Sequence, residues 1–286
     1  MNTLFTYQAL DATVRLKVCD PALLPVARDL HSVSCRSVRE CTEAQLADLV
    51  WEKPVVKGHY GITLQGQPWE GDLSLADLFI QSENLVTQLF LQQIKHAMQI
   101  HAAAVVAPNG DGWMISGDSG AGKTSLTLLS LLNGWRCLTD EFVFVPSSES
   151  RVVQGLRRNF NLKQRSFDHF PQTRGLPHSR EFQSPQRKMD LRFIDPSELV
   201  PDAFAPAAQI TTVLFPRYDP GIATMRLEPK SAVETLNLLL PQINLWQPWS
   251  AAWLSDLTKN TRAFELSYYD PRQCLPGEIA RVIQPH

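Results

Sequence analysis

The stretch Gly117-Asp118-Ser119-Gly120-Ala121-Gly122-Lys123-Thr124 satisfies the phosphate-binding pattern G-x-x-x-x-G-K-[ST] at every fixed position. Glycines let the backbone turn tightly and bring successive N–H groups onto phosphate oxygens, and a following helix directs its positive end at the same charge. Lys123 is expected to reach the outer phosphates and Thr124 to hold Mg²⁺. The sequence therefore predicts a nucleoside triphosphate bound along residues 117–125, from Gly117 to Ser125.

The segments around this loop have the order that a phosphate loop requires. Trp113-Met114-Ile115-Ser116 is suited to a buried strand, and residues 125–132 carry an apolar helical face that closes at Asn133-Gly134. Upstream, the apolar run 100–107 and the turn 108–112, which contains Asn-Gly, predict an antiparallel hairpin partner for the strand. The alternative is a plain glycine-rich turn that enters a helix.

An acidic pair, Asp140-Glu141, lies between residues 135–139 and the apolar run 142–145, where it interrupts an otherwise buried strand. Burial of an unpaired carboxylate is costly, so such a pair is expected to face a metal ion, a phosphate site or a cationic partner. The alternative is an exposed strand end with solvated acids. His101 lies inside a run of alanines and valines, where a histidine is more often a satisfied core residue than a functional one.

Composition limits the classes of function. The chain has 286 residues, 44% of them hydrophobic, and a formal net charge of -2, which gives no global attraction to nucleic acid or an acidic membrane surface. Its five cysteines include no C-x-x-C pair, so neither a disulfide framework nor a zinc site is indicated. With no leader-like start and no membrane-length apolar run, we expect a cytoplasmic protein without nucleic-acid or membrane partners.

Along the chain, residues 1–80 are expected to form a small N-terminal α+β module or sheet extension, and residues 81–286 the phosphate-loop domain. The second part is expected to begin with a helix whose N-cap is Ser82, followed by long Arg-rich loops around the nucleotide site over residues 147–190 (including Arg187 and Lys188). A strand over 210–215 that ends at Pro216-Arg217-Tyr218 and a helix over 231–240 are expected next. Trp246, Trp249 and Trp253 are expected to pack a C-terminal helical cap, and the alternative for them is a partner-binding surface.

The order of these motifs resembles the catalytic domain of HPr kinase/phosphorylase. The matching features are Ile100-His101 on the hairpin, the Gly-Asp-Ser-Gly form of the loop, and the run from Gly134 to Asp140-Glu141. Three later segments resemble more specifically the HPr-kinase-related kinases of type A. They are Asn161-Leu162-Lys163 with Ser166, Phe215-Pro216-Arg217-Tyr218, and residues 236–246.

The resemblance implies an α/β class with an α+β tendency: a phosphoenolpyruvate-carboxykinase/HPr-kinase-like P-loop fold, with a mixed β core fed by a hairpin and flanking helices. It also implies transfer of phosphate from ATP, with Mg²⁺, to a hydroxyl group. By this analogy Asp140 is the catalytic acid/base, His101 assists it, Lys123 contacts the transferred phosphate, and Thr124, Asp140 and Glu141 form the metal site. Arg217 and Lys163 are candidate contacts to phosphate or acceptor.

The sequence departs from that of the true HPr kinases in two ways that concern the identity of the phosphate acceptor. Glu141 replaces the second aspartate of the Asp-Asp pair in true HPr kinases, and the glycine-containing segment that supplies their metal-binding glutamate has no counterpart in this sequence. HPr itself is therefore disfavoured, and the type A relatives imply a peptide or small-protein acceptor. Homo-oligomer formation stays open, as does the phosphate donor.

Three alternatives to a protein kinase remain at this stage: a nucleotide-dependent switch or ATPase, a non-catalytic nucleotide-binding partner protein, and a small-molecule kinase. A GTPase is disfavoured, because the nearest approach to its guanine motif, Thr258-Lys259-Asn260-Thr261, lacks the aspartate.

Overall fold

The computed structural model describes residues 2–52, 56, 58–147, 151–184 and 189–283, so Arg187 and Lys188 lie outside the described residues. It is a mixed α/β protein with several sheets. The strands, in chain order, are β1 (Asn2–Ala9), β2 (Ala12–Val18), β3 (Cys35–Cys41), β4 (Leu49–Trp51), β5 (Tyr60–Leu64), β6 (Gln67–Leu73), β7 (Met98–Val106), β8 (Gly112–Ser116), β9 (Arg136–Thr139), β10 (Phe142–Val145), β11 (Val152–Gly155), β12 (Phe160–Lys163), β13 (Arg180–Ser184), β14 (Met189–Ile194), β15 (Ala208–Tyr218), β16 (Arg226–Pro229), β17 (Ile243–Leu245) and β18 (Arg262–Tyr268). The helices are α1 (Leu24–Leu30), α2 (Leu75–Gln93), α3 (Lys123–Leu132), α4 (Ala232–Leu239), α5 (Ser250–Asn260) and α6 (Pro276–Ile283).

Contacts along the backbone divide the chain into two compact units. The first contains Met1–Lys95, Arg158–Phe167 and Gln172–Asp195, and the second contains His96–Arg157, Asp168–Pro171 and Pro196–His286. This division differs from the expected one at residue 80, because the long helix α2 packs on strands of the first unit.

In the first unit, six strands form a sheet of order β3-β1-β2-β4-β5-β6, in which β2 and β4 run parallel and the other neighbours antiparallel. Alternation along β1 and β2 buries Leu4, Val14 and Leu16 fully. Helix α2 packs against β2 and β5 and covers this apolar face.

The expected start of α2 at Ser82 is wrong. The helix begins one residue after Ser74, whose hydroxyl accepts the N–H of Asp77 at 3.1 Å. Ser82 is fully buried inside the helix, where its hydroxyl accepts a 2.6 Å hydrogen bond from the indole of Trp51. The polar residue that caps the helix therefore lies two turns earlier than the sequence predicts.

The expected long loops over residues 147–190 are also wrong where the structure describes this segment. Strands β12, β14 and β13 form an antiparallel sheet in that order, and they belong to the first unit. The high charge of the segment is typical of loops, yet charged residues are buried here: Arg192, in β14 just beyond the segment, is fully buried, with its guanidinium 4.1 Å from the Phe167 ring centroid and 2.6 Å from Glu181.

The second unit is built on a nine-stranded sheet whose main order is β11-β10-β7-β8-β15-β18-β16, with β9 and β17 also paired to β7. Strands β7 and β8 form the expected antiparallel hairpin, with Val106 opposite Gly112. Strand β15 runs parallel to both β8 and β18 and ends at Tyr218, within the predicted end Pro216-Arg217-Tyr218. Three parallel carboxyl ends therefore meet at one edge of the sheet.

Helices cover both faces of this sheet. Ile100, Ala102 and Ala104 of β7 belong to a buried core with Trp253 and Leu257 of α5. Helix α3 packs against β7 and β9.

Helix α4 follows the N-cap Ser231, which forms a capping box with Glu234, as the sequence predicts. Of the three tryptophans expected in the cap, Trp253 is fully buried, Trp249 is half-buried and Trp246 is exposed. None of the helices that the structure describes has the length and apolar character needed to cross a membrane.

Candidate functional site

The glycine loop follows β8 directly and leads into α3, in the order that the sequence predicts. Gly120 and Gly122 adopt left-handed backbone angles, with φ of 88° and 108°, which favour glycine. Within the loop, the N–H of Ala121 donates to the Asp118 carbonyl oxygen at 3.1 Å. Gly122 then precedes the first helical residue, so the unpaired N–H groups of the first turn of α3 lie beside the loop.

Lys123 folds back over the loop that precedes it. Its ammonium group donates to the carbonyl oxygens of Gly117, at 2.6 Å, and Asp118, at 3.2 Å, and the residue is buried. Burial of a cation is costly unless polar groups compensate for lost water. The loop carbonyls supply part of that compensation, and a bound anion would supply more.

The side chains of Thr124 and Asp140 meet at the first turn of α3. The Thr124 hydroxyl donates to Oδ2 of Asp140 at 3.1 Å, and the carboxylate is buried. Asp140 reaches this point because β9 pairs with β7 and the chain then turns before β10. The Thr139 hydroxyl fixes that turn, since it accepts the N–H groups of Glu141 at 3.0 Å and Phe142 at 3.1 Å.

This pair suits a magnesium ion bound together with phosphate. Hydroxyl and carboxylate oxygens are hard ligands, and Mg²⁺ in phosphate sites takes one or two carboxylates and completes its shell with phosphate oxygens and water. Over the described ranges, no three His, Cys, Asp or Glu side chains gather as a metal site. The Thr124 hydroxyl and the Asp140 carboxylate offer oxygen ligands, and a Mg²⁺ ion bound to phosphate takes only a few of its ligands from the protein.

The remaining candidate residues have the following positions. His101 lies opposite Phe142 in the pairing of β7 with β10, and the two ring centroids are 5.5 Å apart. It alternates with the core residues Ile100 and Ala102, so it points to the other face of the sheet. Glu141 is half-buried in the turn after β9, and Ser125 is buried in the first turn of α3.

Two residues that the sequence did not single out hold the loop in place. The Tyr268 hydroxyl at the end of β18 donates to the Ala121 carbonyl oxygen at 2.8 Å, and the Gln242 side-chain amide donates to Oδ1 of Asp118 at 3.1 Å. Tyr268 ends a strand parallel to β15, which is itself parallel to β8. No local sequence pattern indicates this contact, because it depends on the parallel pairing of strands that lie far apart in the chain.

The candidate phosphate or acceptor contacts are distributed over both units. Arg217 is 67% exposed and pairs with Glu265 at 3.6 Å within the second unit. Lys163 and Ser166 belong to the first unit. Arg217 shares its strand face with the core residues Val213 and Phe215, so it lies on the sheet face that packs on α5.

Comparisons with known proteins add little to this geometry. No protein-family model matches the chain. No curated protein shows significant sequence similarity to it. Among solved structures, the Hpr(Ser) kinase/phosphatase from Coxiella burnetii is similar at 10% sequence identity and a TM-score of 0.33, over 65% of this chain and 95% of that chain. The likeness is distant, and no conclusion about fold or activity follows from it.

Proposed function

We propose that this chain is an ATP- and Mg²⁺-dependent phosphotransferase that moves the terminal phosphate to a hydroxyl group of a peptide or small protein. One observation carries the proposal: the Thr124 hydroxyl, beside Lys123 at the end of the glycine loop, is hydrogen-bonded to the buried carboxylate of Asp140. Phosphoryl transfer depends on positioning and on compensation of negative charge, and this arrangement offers both. We also propose the phosphoenolpyruvate-carboxykinase/HPr-kinase-like P-loop fold for the second unit, on the basis of the sequence resemblance.

The glycine loop and α3 are proposed to bind the triphosphate. Backbone N–H groups of residues 117–125 donate to phosphate oxygens, and the positive end of α3 adds to the attraction. On binding, the Lys123 ammonium exchanges loop carbonyl acceptors for outer phosphate oxygens. Thr124, Asp140 and Glu141 would hold Mg²⁺, which neutralises phosphate charge when bound.

Asp140 is proposed to act as the base. It accepts the proton of the acceptor hydroxyl while that oxygen forms a bond to the terminal phosphorus and the bond to the leaving diphosphate breaks. His101, on the neighbouring strand β7, is proposed to assist this proton transfer. The peptide or small-protein nature of the acceptor rests on the resemblance to the type A kinases.

The test is transfer of label from γ-labelled ATP, with Mg²⁺, to a fraction of small proteins and peptides. We expect Lys123→Ala to weaken both ATP binding and transfer. We expect Asp140→Asn to keep ATP binding and to slow transfer by roughly 10²- to 10⁴-fold, the usual contribution of a general base. Asp111→Asn is the matched control, because Asp111 lies in the hairpin turn at the opposite end of β8, and it should leave transfer unchanged.

Each outcome separates the proposal from its alternatives. Labelled peptide or protein supports it, whereas release of free phosphate alone identifies an ATPase or switch. ATP binding without turnover identifies a non-catalytic binding protein, and label on a small molecule identifies a small-molecule kinase. If the Asp140→Asn variant transferred phosphate at the wild-type rate, Asp140 would not be the general base.

A further inference from the structure

We propose that Tyr218 and Tyr269 form a stacking subsite for the nucleobase of the bound nucleotide. The proposal rests on the proposed function only for the presence of a triphosphate in the glycine loop. It concerns a different part of the second unit, at the carboxyl ends of β15 and β18, and it assigns a role to residues outside the phosphate-binding pattern.

The topology places this surface beside the loop. Strands β8, β15 and β18 are parallel, and Tyr218 and Tyr268 are paired neighbours at the ends of the last two. Ligands of such sheets bind outside the carboxyl ends of the strands. Contact with the loop is direct, since Tyr268 bonds to the Ala121 carbonyl oxygen, and Pro216 of β15 would lie 3.8 Å from a Cβ at Gly117.

The loop has two chemically different flanks. On the side of β7 and β9 lie Thr124 and the acid Asp140, where the terminal phosphate and its cation are proposed to sit. On the opposite side of β8, beyond β15, lies the aromatic end of β18. A triphosphate whose terminal end faces the acid directs its nucleoside end away from it, and so toward the tyrosines.

The rings have the geometry of a stacking platform. Tyr268 is buried, and the ring of Tyr218 meets it edge-on, with centroids 6.5 Å apart and an interplanar angle of 80°. The ring of Tyr269 lies against Tyr218 at 6.0 Å and 33°. Tyr218 and Tyr269 are 48% and 50% exposed, so ring area remains open to a planar ligand. Stacking of a base on such rings tolerates any base, because every base has a π-face.

The polar neighbours keep this platform in place. Asp270 follows Tyr269 and accepts hydrogen bonds from the Arg272 guanidinium at 2.5 Å and 2.9 Å, while His169 lies 3.5 Å away. The short helical turn Pro271–Gln273 packs against α3. The segment that carries Tyr269 is therefore tied to the same helix that begins at the phosphate loop.

Binding of Mg²⁺·ATP and Mg²⁺·tripolyphosphate should be compared by calorimetry, because the second ligand has the phosphates without the base. We expect wild type to bind ATP more tightly. Tyr269→Ala and Tyr218→Ala should each weaken ATP binding about tenfold and leave tripolyphosphate binding unchanged, and Tyr269→Phe should retain wild-type affinity, since it keeps the ring.

The proposal is overturned if Tyr269→Ala weakens both ligands equally, if it leaves ATP binding unchanged, or if wild type binds the two ligands with equal affinity. If the phosphate site itself is wrong, wild type would bind neither ATP nor tripolyphosphate, and both proposals would be overturned. If only the proposed transfer reaction is wrong, wild type would still bind ATP more tightly than tripolyphosphate.

Discussion

At the scale of single residues, Gly122 is the most constrained position of the candidate site. Its φ of 108° is left-handed, and a Cβ there would lie 1.7 Å from the Tyr268 hydroxyl oxygen. Gly134 has a similar φ of 82°, but a Cβ there would meet nothing within 4 Å. The two glycines therefore share the backbone requirement and differ in what lies next to them.

We expect Gly122→Ala to destabilise the fold by about 2–4 kcal/mol, since overpacking adds to the left-handed backbone cost, and to abolish detectable ATP binding. Gly134→Ala should cost about 1 kcal/mol and leave ATP binding unchanged. Urea unfolding and ATP titration of both variants provide the measurement. Equal ATP affinity for the two variants would contradict the role given to the contact with Tyr268.

At the scale of elements, the N-terminus of α2 depends on Ser74. Its hydroxyl accepts the N–H of Asp77 and donates to Oδ2 of the same residue at 2.5 Å, while the other carboxylate oxygen accepts a hydrogen bond from Ser184. Asp77 is buried, so both its oxygens need these partners. The cap thus joins the start of a helix to the strand β13.

We expect Ser74→Ala to lower the free energy of unfolding by about 2–4 kcal/mol, because the N-cap is lost and Oδ2 of the buried Asp77 loses a donor, and Ser74→Thr to keep most of the stability. Ser82→Ala should destabilise by about 1–3 kcal/mol for a different reason, because it leaves the buried indole N–H of Trp51 without its acceptor. Denaturant unfolding measures both variants. An unchanged stability of Ser74→Ala would refute the assignment of Ser74 as the cap.

The elements around the glycine loop could be predicted because their signals are local. A turn of Pro-Asn-Gly-Asp-Gly determines the hairpin β7–β8, and a capping residue together with an apolar face determines α4. The parallel pairing of β15 with β8 has no such signal, because it joins strands about a hundred residues apart in the chain. The Tyr268 contact depends on that pairing, and it was missed for the same reason.

Strands β12–β14 were missed for a different physical reason. Their sequence is polar and charged, which is typical of loops, but the charges are neutralised by one another in the folded first unit. Arg158 pairs with Glu83 at 2.6 Å although both side chains are buried, and Arg192 pairs with Glu181. Glu83 lies 75 residues before Arg158 in the chain, and pairing over such a distance cannot be read from the local pattern of a segment.

At the scale of the whole molecule, the first unit holds a buried histidine that makes its stability depend on pH. His31 is 1% exposed, its ring lies 5.7 Å from that of Tyr7 and 6.3 Å from that of Phe90, and Nε2 lies 3.4 Å from the Glu83 carbonyl oxygen. Burial, followed by the nearby charge of Arg158, lowers the pKa of His31 from 6.5 to about 3. The folded protein therefore holds this side chain neutral.

The sign of the effect follows from that shift. Below pH 6.5 the unfolded chain binds a proton at His31 that the folded chain does not, so the stability is complete above pH 6.5 and decreases as the pH falls toward 3. Between pH 7.5 and 5.5 the contribution of this group is a loss of about 1.4 kcal/mol. We expect urea unfolding to show wild type losing that much more stability over this interval than His31→Phe, which keeps a ring but cannot titrate. Burial also raises the pKa of Glu83, but Glu83 is present in both proteins, so its effect cancels to first order. Equal losses in the two proteins would show that His31 is not held neutral in the folded first unit.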